Sequence, residues 1–160
     1  ASIIKEENSR LKNQVEKVLQ TAFLESDTLK LTFIEVSVQD IIGKAISPYQ
    51  LKLESIDGKI TTKGKDLLFN GDEHHLTHLF SNLIDNAIKY SKSSPVISIS
   101  WEQQKKHIQI VVQDNGIGIP KEHLKNIFNQ FYRVPTGDVH DVKGFGIGLY
   151  YTKTIICYCR

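Results

Sequence analysis

Two glycine-rich segments constrain the fold of this 160-residue chain more than any other feature. Residues 114–120 read Asp-Asn-Gly-Ile-Gly-Ile-Pro and follow a strand-like run, whereas residues 144–149 read Gly-Phe-Gly-Ile-Gly-Leu and open a helical pattern. Alternating glycines let a backbone turn sharply and approach a flat ligand, and at a helix start they offer unhindered N–H groups to an anion. Neither segment fits the dinucleotide-binding fingerprint or the phosphate-binding loop with its Gly-Lys-Ser/Thr signature.

The composition is that of a globular protein. Hydrophobic residues make up 40% of the chain and charged residues 24%, which excludes a disordered chain. The net charge of +2 gives no reason to expect nucleic acid as the main partner. No apolar run approaches the ~18 residues of a membrane span. Cys157 and Cys159 are too close together to staple a fold, which favours a reducing compartment.

Residues 72–91 have the apolar spacing of one long helix. Asn82, Asn86 and Lys89 fall within about 60° of one another on this helix and form one polar stripe. The apolar face is expected to consist of Leu76, Leu79, Phe80, Leu83 and Ala87. Two histidines extend the stripe and are interpreted as surface residues: His75 and His78.

The rest of the chain predicts short strands and helices that do not alternate strictly, which is typical of an α+β sandwich. Strands are expected over residues 31–36, 59–62, 67–69, 95–101 and 107–113, the last two as a hairpin. Helices are expected over residues 42–56 with a break at Pro48, over 72–91 with Asp72 as N-cap, over 121–131, and from Gly144 onward. Gly58 suits a left-handed helix cap.

The polar residues suit a metal-bound phosphate ligand. An Asn oxygen can ligate Mg²⁺ without adding negative charge beside a polyphosphate, and Lys89 can neutralise phosphate. Asp114 can accept a hydrogen bond from an exocyclic amine such as that of adenine. Each segment alone also fits a simpler interpretation, namely a solvated helix face for the stripe and an ordinary Asp-Asn-Gly turn for Asp114.

Taken together and in this order, four segments resemble the catalytic ATP-binding domain of two-component sensor histidine kinases. Residues 82–91 (NLIDNAIKYS) are similar to the asparagine box of that family, and residues 114–120 (DNGIGIP) to its first glycine box. Residues 127–134 (IFNQFYRV) are similar to the phenylalanine box, and residues 143–149 (KGFGIGL) to the second glycine box. The resemblance covers residues 31–156, which is most of the chain.

This resemblance implies the Bergerat fold, an α/β sandwich in which helices cover a mixed sheet and ATP lies between the asparagine-box helix and a lid over residues 135–143. It implies that Asn86 ligates Mg²⁺, that Asn82 and Lys89 contact phosphates, and that Asp114 binds the adenine amine. The other positions that it implies for nucleotide binding are Tyr90, Gly116, Gly118, Ile119, Lys143, Gly144, Gly146, Gly148 and Leu149.

The phenylalanine box adds two expectations. By the resemblance, Arg133 reaches the γ-phosphate during transfer, so that Asn82, Lys89 and Arg133 form the implied catalytic set. Phe128 and Phe131 are expected to be core anchors beneath the lid.

Both ends of the chain depart from the family pattern. Residues 1–27 carry an apolar stripe on a charged helix, which resembles the C-terminal helix of a dimerisation bundle and precedes an ATP-binding domain over residues 28–160. A helix packed on its own domain is the alternative. None of the six histidines has the helical His-Glu or His-Asp context of a phosphoacceptor. The Gly-Gly turn and the last two strands of the family pattern are also expected to be missing.

The implied activity is that of a protein-histidine kinase, which transfers the γ-phosphate of ATP to a histidine for relay to a response regulator. Without its acceptor, the chain is expected to be inactive alone. The implied partners are the phosphoacceptor helix of the parent kinase, a response regulator and a second parent copy in a homodimer. The implied location is cytoplasmic, with a parent that can be anchored in the bacterial inner membrane. An anti-sigma-type serine kinase and a non-catalytic nucleotide-sensing module remain as alternatives.

Asn82 leads to a prediction about hydrolysis. Gyrase-type and chaperone ATPases of the same fold carry a Glu four residues before the metal-binding Asn, where it activates water. Here that position is Asn82, whose amide cannot act as a base. We therefore expect negligible steady-state ATP hydrolysis, measured as phosphate release. A fast turnover that disappears in Asn86→Ala would contradict this expectation.

Overall fold

The structure, a computed structural model, describes residues 30–135 and 145–159. The described residues from Thr32 onward belong to one compact unit. Several expectations lie outside the described residues: the helix and domain boundary within residues 1–27, most of the lid over 135–143, and the site residues Lys143 and Gly144.

The described residues form five strands, four α-helices and two short 3₁₀ helices. The strands are β1 (Ile34–Ser37), β2 (Lys59–Lys63), β3 (Leu68–Gly71), β4 (Val96–Gln103) and β5 (Ile108–Asp114). The α-helices are α1 (Val38–Ile46), α2 (Gln50–Ser55), α3 (Glu73–Lys89) and α4 (Gly148–Tyr158), and the 3₁₀ helices are Ser47–Tyr49 and Lys121–His123. Within these ranges no helix combines the length and the hydropathy that crossing a bilayer requires.

The strands form two sheets. In the larger one β4 lies in the middle, parallel to β2 and antiparallel to β5, while β1 and β3 make a separate antiparallel pair. The antiparallel β4–β5 pairing confirms the predicted hairpin. A mixed sheet packed against helices confirms the predicted α+β sandwich.

Helix α3 lies between α1 and α4 and contacts both. Its buried residues are Leu76, Leu79, Phe80, Ile84, Ala87 and Ile88. Leu83, expected on this face, is only half-buried. Because α3 packs against both α1 and α4, Ile84 and Ile88 are buried instead. On β4 the alternate residues Ile97, Ile99 and Trp101 are buried, as expected for a strand with one face in the core.

Side chains cap the start of both α1 and α3. Ser37 Oγ accepts a hydrogen bond from the N–H of Asp40 at 3.1 Å, and Asp72 Oδ1 accepts one from the N–H of His75 at 2.9 Å. Asp72 Oδ2 also accepts the N–H of Thr32 at 2.8 Å. Burial alone would raise the pKa of Asp72, but these two donors and the neighbouring histidines hold it below its ordinary value. The predicted N-cap is therefore confirmed.

The break at Pro48 is confirmed, since a 3₁₀ turn separates α1 from α2, but the end of α2 differs from the prediction. The left-handed residue is Asp57, with φ of 52°, and not Gly58. Gly58 is needed for space instead, because a Cβ there would lie 2.7 Å from Leu53 Cδ2 and 3.3 Å from Pro95 Cδ. Its N–H closes the helix by donating to the carbonyl oxygen of Leu53 at 2.8 Å.

The helix predicted over residues 121–131 is wrong. After the 3₁₀ turn, the N–H groups of Asn126 and Asn129 each donate to the carbonyl three residues back, at 2.8 Å in both cases. Asn side chains compete with helical bonding, and Asn129 Nδ2 donates to Asn126 Oδ1 at 3.3 Å. Phe131 then adopts a φ of 61°, which a right-handed helix excludes.

The last helix also begins later than predicted, at Gly148 instead of near Gly144. Gly146 has a φ of 70°, a left-handed conformation that cannot belong to the helix. Gly146 therefore lies in the approach to α4, whereas Gly148 lies within the helix.

Two glycines provide a matched test of this packing. A Cβ on Gly43, inside α1, would meet nothing within 4 Å, so Gly43→Ala should raise the free energy of unfolding by about 0.5–1 kcal/mol. A Cβ on Gly64 would overlap the indole of Trp101, whose Nε1 donates to Lys65 O at 2.7 Å. Gly64→Ala should therefore lower the free energy of unfolding by about 1–3 kcal/mol. Urea denaturation measures both changes, and shifts of the same sign would contradict the described packing.

Candidate nucleotide-binding site

Three close contacts bring the four boxes together. Ile117 N–H donates to Tyr90 O at 3.0 Å, which joins the first glycine box to the end of α3. A Cβ on Gly148 would lie 3.5 Å from Asn82 Oδ1, so the start of α4 adjoins the asparagine box. A Cβ on Gly146 would lie 2.5 Å from a carbonyl oxygen of the phenylalanine box. Segments far apart in the sequence thus meet in one region.

The polar stripe is present on α3. Asn82, Asn86 and Lys89 are all half-buried, at the spacing that the sequence predicts. The ammonium group of Lys89 forms an ion pair with Asp85, one turn earlier. A phosphate group beside Lys89 would therefore compete with the Asp85 carboxylate.

The first glycine box turns from β5 back toward α3. Asp114 is exposed, and its Oδ1 accepts the N–H of Gly116 at 2.7 Å. A carboxylate offers about four acceptor positions, so it can take a further donor such as an amine. A Cβ on Gly116 would lie 2.6 Å from Asp114 Oδ1 and 3.0 Å from Tyr90 O, which makes glycine necessary there. Gly118 is left-handed, with φ of 71°, and Ile119 beyond it is exposed.

Asn115 holds this turn in place, a role that the motif pattern does not predict. Its Oδ1 accepts hydrogen bonds from Ser91 Oγ and the N–H of Val96, both at 2.9 Å, and its Nδ2 donates to Ser94 O at 3.1 Å. One side chain therefore ties the loop after α3 to the first glycine box. The Asp-Asn-Gly sequence indicates a turn but not these partners, which lie 19 to 24 residues away.

Tyr132 holds the phenylalanine box. Its hydroxyl oxygen lies 2.6 Å from Nδ1 of His123, and its carbonyl oxygen is the group that Gly146 approaches. Arg133 follows directly and is exposed. The position of Arg133 therefore depends on Tyr132, which contacts His123 through its side chain and Gly146 through its backbone.

The prediction that Phe128 and Phe131 are core anchors is wrong. Their exposed fractions are 38% and 60%. Both lie in the turns that replace the predicted helix, so the spacing that would have placed them on one buried face does not exist. The left-handed φ of Phe131 is unusual for a bulky residue.

The second glycine box leads into α4. Ile147 is buried, whereas Gly148 and Leu149 are half-buried. The first N–H groups of a helix, together with the helix dipole, favour an anion. Because Asn82 adjoins this helix start, an anion bound there would meet a carboxamide as well.

A hydrogen-bonded group of side chains joins the beginning of α3 to α4. The hydroxyl oxygen of Tyr151 lies 2.7 Å from Nδ1 of His75, and the ring of His78 packs edge-on against Tyr151 at 4.8 Å between centroids. Both histidines are half-buried, and their interpretation as surface residues does not account for this contact with Tyr151. Tyr151, which covers them, lies 76 positions after His75 in the sequence, so no local pattern could indicate this contact.

The donor set fits a metal ion that is shared with a ligand. Across residues 30–135 and 145–159, no three His, Cys, Asp or Glu side chains lie close enough to hold a metal. Mg²⁺ commonly takes one or two protein oxygens and completes its shell with phosphates and water. The carboxamide oxygen of Asn86 suits such a site.

Comparison with protein families identifies this arrangement. A family model described as "Histidine kinase-, DNA gyrase B-, and HSP90-like ATPase" matches residues 71–158, which include α3, the β4–β5 hairpin and α4. The chain belongs to this ATPase family.

Relatives of this ATPase domain confirm the resemblance to sensor histidine kinases. Sensor protein RprX of Bacteroides fragilis is 42% identical over 161 residues, which cover 98% of this chain and 31% of RprX. The crystal structure of full-length ShkA in complex with AMPPNP has a TM-score of 0.84 at 18% identity, and the match covers 98% of this chain and 32% of that one. Histidine kinase ThkA, in complex with the response regulator protein TrrA, has a TM-score of 0.66 at 26% identity, over 82% of this chain and 39% of that one. The chain spans about a third of the length of the curated relatives it matches.

Acid should destabilise this ATPase domain through His75. Burial lowers the pKa of His75 below its ordinary value of 6.5, although the carboxylate of Asp72 acts in the opposite direction. The unfolded chain therefore takes up the proton more readily, so stability falls as the pH drops through 6.5, and the loss is complete below the folded-state pKa. The pKa of Asp72 is also lowered, below its usual value of 3.8.

We expect the free energy of unfolding to decrease between about pH 8 and pH 5, and to decrease less in His75→Asn. Urea denaturation across this range measures it. An identical pH dependence in the two proteins would contradict the assignment to His75.

Proposed function

We propose that the chain is the ATP-binding catalytic domain of a sensor histidine kinase, and that it transfers the γ-phosphate of ATP to a histidine of the parent protein for relay to a response regulator. The observation that carries this proposal is the meeting of the asparagine box, the phenylalanine box and both glycine boxes in one region. Membership of the ATPase family and the names of the relatives support it.

The first glycine box forms the adenine end of the proposed site. Asp114 accepts the exocyclic amine of adenine, because its exposed carboxylate retains acceptor positions beyond the one that Gly116 uses. Gly116 leaves room for a flat ring close to the backbone, and Tyr90 flanks the nucleotide from the end of α3. Gly118 and Ile119 line the same adenine end of the proposed site.

The polar stripe of α3 and the start of α4 form the phosphate end. Asn86 is the proposed Mg²⁺ ligand, while Asn82 and Lys89 contact phosphates. When bound, Mg²⁺ supplies neutralisation of the phosphate charge. Of these three α3 side chains only Lys89 is charged, and the phosphate displaces its present partner, Asp85. The second glycine box completes this end with Lys143, Gly144, Gly146, Gly148 and Leu149.

Asn82 favours transfer to a protein over hydrolysis, and Arg133 assists the transfer itself. Arg133 is exposed next to the braced Tyr132, and a guanidinium can stabilise the charge of the transferred phosphoryl group. Asn82 cannot remove a proton from water. In this proposal the acceptor histidine lies on another helix of the parent protein.

We assign residues 1–27 to the C-terminal helix of the parent protein's dimerisation domain and residues 28–160 to the ATP-binding domain, with the phosphoacceptor helix and a second parent copy as partners. The complex of ThkA with TrrA supports a response regulator as the downstream partner. No role in nucleic-acid binding is proposed. The domain is assigned to the cytoplasmic side of a parent anchored in the inner membrane.

Nucleotide binding tests the site directly. The 160-residue chain should bind ATP, more tightly with Mg²⁺ than without, in isothermal titration calorimetry. Asp114→Ala should weaken binding by about tenfold or more, since a hydrogen bond to a charged group is lost. Asn86→Ala should remove the benefit of Mg²⁺. Phosphotransfer to an added phosphoacceptor helix then tests the activity.

Asp66→Ala is the matched control for the adenine site. Asp66 is also an exposed carboxylate with one hydrogen-bond donor, Ser37 Oγ at 2.6 Å, but it lies in the connection between β2 and β3. Its removal should leave ATP affinity unchanged. The proposal fails if the unmodified chain does not bind ATP, or if the Asp114 and Asp66 variants bind it equally well.

A further inference from the structure

Helices α3 and α4 meet at two places that involve different chemistry. At one, Nδ1 of His75 and the hydroxyl oxygen of Tyr151 are 2.7 Å apart. At the other, Gly148 adjoins Asn82, with only 3.5 Å between a Cβ on that glycine and the carboxamide oxygen. Two separated contacts between the same helices determine how far one can slide or rotate along the other.

We infer that the His75–Tyr151 hydrogen bond is a positioning contact, which sets the N-terminal turn of α4 against Asn82 and so places the phosphate end of the nucleotide site. This inference rests on the proposed function. Neither His75 nor Tyr151 touches the nucleotide in that proposal. They act through Gly148 and the helix start.

The first turn of α4 is stiff enough to transmit a shift. Tyr151 N–H donates to Ile147 O at 2.8 Å, and the hydroxyl of Thr152 donates to Gly148 O at 2.9 Å. Tyr151 and Thr152 are both 4% exposed. A displacement at Tyr151 therefore moves Gly148 with it, instead of being absorbed between them.

The other half of the contact is fixed equally well. The N–H of His75 is held by Asp72 Oδ1 at 2.9 Å, and the second oxygen of Asp72 is held by Thr32 N–H at 2.8 Å. The ring of His78 packs edge-on against Tyr151. His75 is thus a fixed point at the beginning of α3.

The direction of a hydrogen bond distinguishes this contact from apolar packing. Apolar contacts scale with buried area and tolerate sliding, whereas a hydrogen bond weakens steeply with distance and angle. Tyr151 is too buried for water to replace His75 freely, and burial raises the pKa of its hydroxyl, so it stays protonated. A Phe side chain at this position would keep the packing but lose the hydrogen bond to His75 and its directional preference.

Tyr151→Phe in the whole chain tests the inference, with affinities for ATP and for adenosine measured in the presence of Mg²⁺ by displacement of a fluorescent ATP analogue. ATP affinity should fall about two- to tenfold, the equivalent of one net hydrogen bond. Adenosine affinity should not change, because its proposed contacts lie in the first glycine box. The ratio of the two affinities separates positioning from a general loss of structure.

Tyr49→Phe is the matched control. Tyr49 is also partly buried, with its pKa raised to about 12 by burial and by the nearby Asp85. Its hydroxyl donates to Ser81 O on α3 at 3.2 Å, but it lies in the 3₁₀ turn before α2 and not on α4. Its substitution removes one comparable hydrogen bond and should leave the ratio of ATP to adenosine affinity unchanged.

His75→Asn and His75→Ala provide a second pair, which decides the matter if Tyr151→Phe does not fold. Asn keeps a polar atom near the position of Nδ1 and should retain more ATP affinity than Ala. Unchanged ATP affinity in Tyr151→Phe, a parallel loss of ATP and adenosine affinity, or equal losses in the two His75 variants would overturn the inference while the proposed function stands. If the unmodified chain does not bind ATP, both fail together.

Discussion

Helix α3 has to satisfy opposite demands on its two sides, and the rest of the site depends on this. One face buries Leu76, Phe80 and Ile84 among others, between α1 and α4. The remaining face carries two carboxamides and an ammonium group at a spacing of four and three residues. Burial of the apolar face contributes roughly 1.5–3 kcal/mol per large side chain, and this is what keeps the polar groups in one orientation.

Three glycines allow the segments of the candidate site to lie close together. Gly116 lies against Tyr90 O, Gly146 against the backbone of the phenylalanine box, and Gly148 beside the side chain of Asn82. A side chain at Gly116 or Gly146 would separate the segments, so these glycines act through the absence of a Cβ. In the proposed function a few local groups meet the charge of the nucleotide, which agrees with a net charge of only +2.

The sequence predicts those features that local chemistry decides, and fails where a distant residue decides. The Asp72 cap, the Pro48 break, the β4–β5 hairpin and the polar stripe follow from neighbouring residues and are present. Asp57 takes the left-handed conformation expected of Gly58, whereas Gly58 is needed because Leu53 and Pro95 leave no space for a Cβ. His75 and His78 contact Tyr151 of α4, a partner that no neighbouring residue indicates. The exposure of Phe131 follows from a backbone conformation that its residue type does not favour.

The parallel pairing of β2 with β4 also has a consequence for how the chain folds. Lys59 pairs with Val96, so the whole of α3 lies in the connection between the two strands. A parallel pair needs such a crossover, and the entropy of closing the connection opposes the pairing until the intervening elements have formed. The β4–β5 hairpin, whose strands are joined by a short loop, has no such requirement. We therefore expect completion of the larger sheet to depend on the prior formation of α3, the helix that carries Asn82 and Asn86.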